Sequence, residues 1–326
     1  ALLTEDGDLR LNTDVSRYDG FLSARYRSEA GTWMSFSTSA YREERGVAPE
    51  AHVQEPRLWR YPSQRRLLAT LSGGTGQRAT PWGEGDLEAT VGVDLGSTEI
   101  DEFATADYQD QVGKEDSKDQ TFTLRLLGDH SLGQRGEVRT ALTYADVNHD
   151  EDLVYSDPLG FDKRHYRQRL WSLGTEAEWW LGSDSGLEGS RPARVSIGFA
   201  VDGADTPKTG DKPSLGTLWD WGGRVGFTTF AGREDLLFHG SASRRTRFPA
   251  LRELYSGALG RFLPNPDLKP EILSGAEAGF TFMKDAVELQ AVAFYQVLTD
   301  GIVRSSVSTP EGKKFKRINR DEVRSR

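Results

Sequence analysis

The sequence has no cysteine, two methionines, five histidines and no excess of positive charge. Without cysteine there can be no disulfide and no thiolate zinc or iron–sulfur centre. The histidines (His52, His130, His149, His165 and His239) show no HxxxH or other ligand spacing, so each reads as a polar group of the surface or the lumen and no metal site is expected. The net charge is −9, and Lys and Arg stand singly or in pairs rather than in a stripe, which argues against nucleic acid as a partner. No apolar run reaches the length of a membrane-crossing helix. That says nothing about crossing with strands, where every second residue can be polar.

Signatures of catalysis are also missing. Gly73-Gly74-Thr75-Gly76 is not followed by Lys-Ser/Thr and reads as a turn rather than a phosphate cradle. No GxSxG elbow occurs. Glu176 and Glu178 share a strand face, but no partner residues define a cleft around them, and no enzyme is expected. Residues Ala1–Asp6 carry neither an initiator Met nor the basic and apolar regions of a signal peptide, and Phe315–Arg326 breaks off at the approach to a further strand. An internal piece of a longer chain is the expectation.

What is present is alternation. Leu87, Ala89, Val91, Val93 and Leu95 oppose Glu88, Thr90, Gly92 and Asp94. The same period of two recurs in 18–28, 32–42, 64–73, 119–130, 135–147, 164–181, 192–203, 221–231, 234–246, 273–283 and 286–297. Period two over ten or so positions marks strands whose two faces meet different surroundings, and about a dozen are expected. The connections alternate too. Short turns near 29–31, 131–134, 232–233 and 284–285, with somewhat longer ones near 74–85 and 182–191, take turns with longer loops near 43–63, 98–118, 148–163, 204–219, 247–272 and 299–312.

An up-and-down antiparallel sheet gathers all such long loops at one end, as transmembrane barrels do, whereas a sandwich has no reason to sort its loops by length. One face is apolar and aromatic. The other mixes small polar groups with both charge signs, namely Arg125, Arg139, Glu176, Glu178, Arg224, Glu277 and Glu288. Lipid outside and a wet or filled lumen inside would produce that contrast. Trp33, Trp171, Trp179, Trp180, Trp219, Trp221 and Tyr295 fall near strand ends, where interfacial girdles would lie. The fold class is therefore all-β, a partial up-and-down transmembrane β-barrel. A passive porin or a soluble carbohydrate-binding sandwich are the alternatives.

Asp146, Asn148, Asp150 and Asp152 put oxygens at alternate positions, and Asp157 falls where a twelve-residue calcium loop would end. Glu151 stands where such a loop needs glycine, so an acidic loop is the expectation.

The most distinctive stretch runs from Arg247 to Gly279. Pro249, Pro264, Pro266 and Pro270 remove donors, and Asn265-Pro266-Asp267 initiates a turn, so the stretch is a long connection between two strands. Arg247, Pro249, Glu253, Tyr255, Asn265, Pro266, Leu268, Pro270, Glu271, Glu277 and Gly279 together resemble the central barrel signature of TonB-dependent outer-membrane receptors. Ala293-Phe294-Tyr295, Asp300-Gly301-Ile302-Val303 and Ile318-Asn319-Arg320 resemble the strands that follow it in that family.

The resemblance implies a 22-stranded barrel of which residues 1–326 form the middle, with the plug domain and the last strands lying elsewhere. It also implies energy-coupled uptake of a scarce ligand such as a ferric siderophore, cobalamin or an oligosaccharide. The implied partners are TonB through the plug, and outer-membrane lipid and lipopolysaccharide around the wall. No cofactor is implied. Loop residues Trp59, Tyr61, Arg252, Tyr255, Arg261 and Phe262 are the candidate ligand contacts.

Overall fold

The computed structural model describes residues 10–51, 56–155, 160–182, 193–230, 235–255, 257, 261–310 and 312–326. They form one 15-stranded sheet and one turn of helix. In chain order the strands are β1 (Val15–Arg27), β2 (Trp33–Gly46), β3 (Trp59–Gly74), β4 (Arg78–Thr80), β5 (Gly83–Phe103), β6 (Gln111–Leu132), β7 (Gly136–Tyr155), β8 (Phe161–Leu181), β9 (Ala193–Thr209), β10 (Leu218–Phe230) and β11 (Leu236–Arg247). Helix α1 (Leu251–Leu254) follows, then β12 (Phe262–Leu263), β13 (Glu271–Lys284), β14 (Val287–Thr309) and β15 (Gly312–Ser325). Each long strand pairs antiparallel with its neighbour in sequence, the up-and-down order. Among the described residues β1 pairs with β2 alone, so the sheet is open there.

Three of the short turns bend through left-handed backbone, with positive φ at Gly31, Gly133 and Asp285. All but the first residue of the turn placed at 182–191, the turn at 232–233, His52 and Asp157 lie outside the described residues.

The strands are longer at the other end than the alternation suggested. The segments 98–118, 148–163 and 299–312, expected as loops, are mostly strand: β5 and β6 stay paired from Gly85/His130 up to Glu102/Gly113, and β6 and β7 up to Gly113/Tyr155. Both faces are polar there, so the apolar–polar contrast that reveals a strand vanishes although the backbone ladder continues. The acidic run is corrected accordingly. Asp146 to Asp152 lies within β7, so Asp146, Asn148, Asp150 and Asp152 point to one side and His149 and Glu151 to the other. An extended strand cannot wrap a calcium ion. These carboxylates meet side-chain nitrogens across the sheet instead: Asp146 pairs with Arg167, Asp150 with His165 at 2.5 Å and Asp152 with Lys163 at 3.3 Å.

One face carries the exposed apolar residues. Val91 (β5) is in register with Leu71 (β3) and Leu124 (β6), and Leu71 with Phe36 (β2). Further round, Leu173, Ile197, Phe199, Val225 and Phe227 continue this face. On β5 the band runs from Leu87 to Leu95, nine residues, or about 30 Å of strand, which matches a membrane's apolar thickness. At its long-loop edge Trp171 meets Trp219 edge-on at 5.2 Å, and Phe199 stacks with Trp221 at 6.3 Å. Trp33 and Trp180 share the parity of the opposite face, each beneath an arginine (Arg25 and Arg194), so they are not part of this girdle.

The opposite face holds ion pairs within the sheet: Arg66 with Asp94, Arg224 with Glu176 at 3.3 Å and Arg194 with Glu178 at 3.1 Å. Apolar residues also appear on this face near the sheet edges, with Phe21 on β1 and Val292 and Phe294 on β14.

Candidate functional site

The connection from β11 to β13 lies on this second face at the long-loop end. Pro249 stops β11 and leads into α1, where the Ala250 N–H donates to Glu253 Oε2 (2.9 Å) and the Glu253 N–H donates to Ala250 O (2.9 Å). The two reciprocal bonds satisfy donors that a helix start leaves open. Arg247 grips the assembly at both ends. Its two terminal nitrogens donate to the Glu253 carboxylate at 2.9 and 3.1 Å, and its Nε donates to Glu271. Glu271 Oε1 in turn accepts the Ile302 N–H at 2.6 Å. Burial alone would raise the Glu253 carboxyl, but the Arg247 guanidinium and the Ala250 N–H outweigh it and hold the group below the ordinary glutamate range.

The connection then anchors on a small core. Leu251, Leu254, Tyr255 and Leu268 bury against Tyr166 of β8, with Val147, Leu215 and Ile302 around them. His149, Tyr166 and Tyr255 form a stack of three rings, with centroids 6.0 and 5.6 Å apart. The Tyr255 hydroxyl lies 3.3 Å from Pro213 O and 3.4 Å from Thr206 Oγ1. The wall also holds the backbone: Gln168 Nε2 donates to Pro249 O (2.8 Å). On the far side Asn265 Nδ2 donates to Arg317 O (2.8 Å). Asn319 receives the Lys269 N–H (2.9 Å) and returns a bond to Lys269 O (3.0 Å).

This connection shows that the sheet curls. Arg261 sits over the ring of Trp59 on β3 at 5.4 Å, while the next residue, Phe262, packs on Phe315 of β15 at 5.6 Å. In the order β3-β5-β6-β7-β8-β9-β10-β11-β13-β14-β15 those two strands are ten steps apart. A flat sheet would hold them about 48 Å apart at the usual strand spacing. One connection can touch both only if the wall bends round it.

The six candidate contacts separate into two groups. Trp59 is buried with Ile100 and Leu153, Tyr61 packs against the same cluster, and the Trp59 Nε1–H is spent on Glu102 (3.0 Å). Tyr255 is wholly buried in the core of the connection. The other three stand around the mouth: Arg261 is 3.5 Å from Glu102, Arg252 is 3.5 Å from Glu115, and Phe262 packs on Phe315. Two arginines that sequence reasoning missed join them. Arg317 sits over Phe262 at 4.7 Å and Arg304 over Phe315 at 4.5 Å. Arg304 and Arg317 face each other in register on β14 and β15. The stretch read as a loop over 299–312 hid that pairing.

A family model described as TonB dependent receptor-like, beta-barrel, matches residues 4–326, nearly the whole chain. The chain belongs to this receptor family. TonB-dependent receptor barrels are outer-membrane proteins of Gram-negative bacteria, and a barrel of this family is not a soluble sandwich.

Solved structures agree on the fold of this TonB-dependent receptor. The copper transporter OprC matches with TM-score 0.76 at 16% identity, over 96% of this chain and 49% of that one. The hemophore receptor HasR of Serratia marcescens, solved with its hemophore HasA and heme, matches with TM-score 0.66 at 11% identity, over 94% and 50%. The siderophore receptor PirA of Acinetobacter baumannii matches with TM-score 0.59 at 13% identity, over 96% and 50%. The chain thus spans about half the length of these receptors. No curated protein sequence matches. Within the receptor the signature residues fall where they shape the connection: Arg247, Glu253 and Glu271 form its clasp, Pro249, Tyr255, Asn265 and Leu268 its anchor, and Glu277 and Gly279 line the wall beneath it.

Proposed function

We propose that this chain is the middle of the barrel of an energy-coupled importer, with its long-loop end outside the cell, and that its cargo is an anionic chelate of the ferric-siderophore kind. The observation that carries the cargo class is the mouth. Arg252, Arg261, Arg304 and Arg317 gather there beside Phe262 and Phe315 in a chain whose net charge is −9. Guanidinium groups over aromatic rings suit a ligand that is both negative and flat-ringed. That chemistry favours a chelate over the other two cargoes of the sequence reading, cobalamin and an uncharged oligosaccharide. HasR and PirA, which share the fold, are a hemophore receptor and a siderophore receptor.

Energy would reach the barrel through a plug domain and TonB, as the family implies. The plug would meet the inner-face pairs Arg66–Asp94 and Arg224–Glu176. Trp59, Tyr61 and Tyr255 act in this reading by holding the mouth in shape, and Arg252, Arg261 and Phe262 by touching cargo.

The test is uptake of radiolabelled ferric siderophores by cells carrying the full-length gene, with and without TonB. Accumulation that requires TonB and falls in the Arg304→Gln/Arg317→Gln variant is expected. Flux that persists without TonB would mean passive diffusion and would overturn the reading.

A further inference from the structure

The four arginines of the mouth are not equivalent. Arg304 and Arg317 lie over the Phe315 and Phe262 rings, and among the described residues neither is within ion-pair distance of a carboxylate. Arg252 and Arg261 belong to the connection, and each already faces a carboxylate of the opposite wall. Arg252 meets Glu115 of β6 and Arg261 meets Glu102 of β5, both at 3.5 Å. Glu102 is in register with Gly113, two residues from Glu115, so the two carboxylates are diagonal neighbours on the inner face, about 7–8 Å apart. The wall thus presents the connection with two negative charges of its own, where an anionic ligand would present others.

The two pairs differ in how firmly they hold. Glu115 is wholly buried, and withdrawing a cation from a buried carboxylate is costly. Arg261 and Glu102 keep 32% and 19% of their side chains in water, and a lone ion pair of that kind is weak. Their contact is also single. Arg261 Nη2 meets Glu102 Oε1, the oxygen that already accepts the Trp59 Nε1–H at 3.0 Å. The backbone of Arg261 stays on the far side of the mouth, where the Phe315 N–H donates to Arg261 O at 2.9 Å and Phe262 and Leu263 pair with β15. Only the side chain crosses, over the Trp59 ring, to reach Glu102.

We propose that Glu102 is an internal competitor for the negative charge of the cargo, and that the Arg261 side chain is a bar across the mouth which swings from Glu102 to cargo held on Arg304 and Arg317. This rests on the anionic cargo of the functional reading above. The residue next to Arg261, Phe262, carries Arg317 over its ring, so the bar stands beside the two free cations. Cargo bound there gives Arg261 another anionic oxygen. Its departure from Trp59 and Glu102 clears the gap between β15 and β3. Glu102 keeps the Trp59 N–H and its access to water, so the exchange strands no buried charge. The sign is the distinctive part. A pair that merely braced the mouth would weaken cargo binding when broken, whereas a competitor strengthens it when removed.

The test uses the full-length receptor in a mild non-ionic detergent. A ferric tris-catecholate is the anionic probe and an uncharged ferric tris-hydroxamate the control, each titrated by calorimetry. Glu102→Gln leaves an acceptor for Trp59 and removes only the charge. It should bind the catecholate roughly fivefold more tightly than the wild type, the scale of a partly exposed ion pair, with no change for the hydroxamate. Arg261→Gln should weaken catecholate binding about tenfold, as loss of a charge-assisted bond does, and Glu102→Gln added to it should bring no gain. In the cargo-free receptor, phenylglyoxal should modify Arg261 faster in Glu102→Gln than in the wild type, as mapped by mass spectrometry.

Equal or weaker catecholate binding by Glu102→Gln would overturn the proposal, as would a gain that persists without Arg261. If the catecholate binds none of these receptors, the cargo class of the functional reading is wrong. The phenylglyoxal rates then judge the bar by themselves. Unchanged reactivity of Arg261 would overturn it, and a rise would uphold the hold of Glu102 on Arg261.

Discussion

The wall and the mouth use the same aromatic side chains in opposite ways. On the wall Trp219 and Trp221 are 61% and 49% exposed, because the phase that covers them is lipid rather than protein. At the mouth Tyr166 and Tyr255 are 1% and 0% exposed. There the strands rise beyond the apolar band into water, and the chain must build its own core to hold a long connection in place. A barrel of this kind is thus stabilised by two solvents. Lipid organises the outward face, and a small aqueous core of Leu251, Leu254, Tyr255, Leu268 and Tyr166 organises the mouth. The contrast predicts which substitutions will hurt, and where.

The largest effect is expected at the mouth. Tyr255→Ala empties the centre of the ring stack and should loosen the connection by about 3–5 kcal/mol, the usual cost of removing a buried aromatic side chain. Cleavage by trypsin after Arg261 in the reconstituted receptor would then rise sharply while the barrel itself stays folded. Unchanged protection would show that the core of the connection is not what holds it.

The wall supplies a paired test of face. Val91→Arg places a charge on the lipid-facing side and should cost about 2–4 kcal/mol in bilayer refolding, whereas Thr90→Arg, one residue away on the other face, should cost close to nothing. Equal costs would mean that the apolar face is not the lipid face.

The smallest effect concerns pH. Glu253 is held below its ordinary value of 4.5, chiefly because the Arg247 pair and the Ala250 N–H outweigh its burial. A depressed carboxyl contributes stability that is fully present above the unfolded value and is lost as pH falls through the folded one. Since Arg247 is half exposed, the contribution is about 1 kcal/mol or less. Hydrogen exchange at the Leu254 and Tyr255 amides should therefore be flat from pH 7 to 5, after correction for intrinsic rates, and show loosening only below about 4.5. The Glu253→Gln variant should remove that dependence.

How much of this could be read from the chain differs between the same two regions. The wall was legible. Leu87, Ala89, Val91, Val93 and Leu95 alternate with polar neighbours, and in the structure they form the outward apolar band. The signature from Arg247 to Gly279 was legible too, and it names the family that the match over 4–326 confirms. The strand extensions were not. From Ser97 to Lys118 polar residues stand on both faces, exposed on one and buried against the mouth on the other, so Glu99 opposite Asp116 looks like loop until the ladder is seen. The candidate contacts were legible by residue type but not by role. Trp59 and Tyr255 read as exposed loop aromatics, and only packing shows that their rings are consumed by Ile100, Leu153 and Tyr166. Arg304 and Arg317 could be found only by pairing β14 with β15.

The sequence alone determined that this protein is a sheet with one apolar face and that it carries a receptor family's central motif. These are local properties, since a period of two and a run of prolines need no knowledge of distant residues. Tertiary structure decided what the mouth is. Arg261 meets Trp59 and Glu102, and Phe262 meets Phe315, because the wall curls until strands ten places apart flank one connection. Such contacts depend on the accumulated twist and closure of many strands, which no short stretch of the chain encodes by itself.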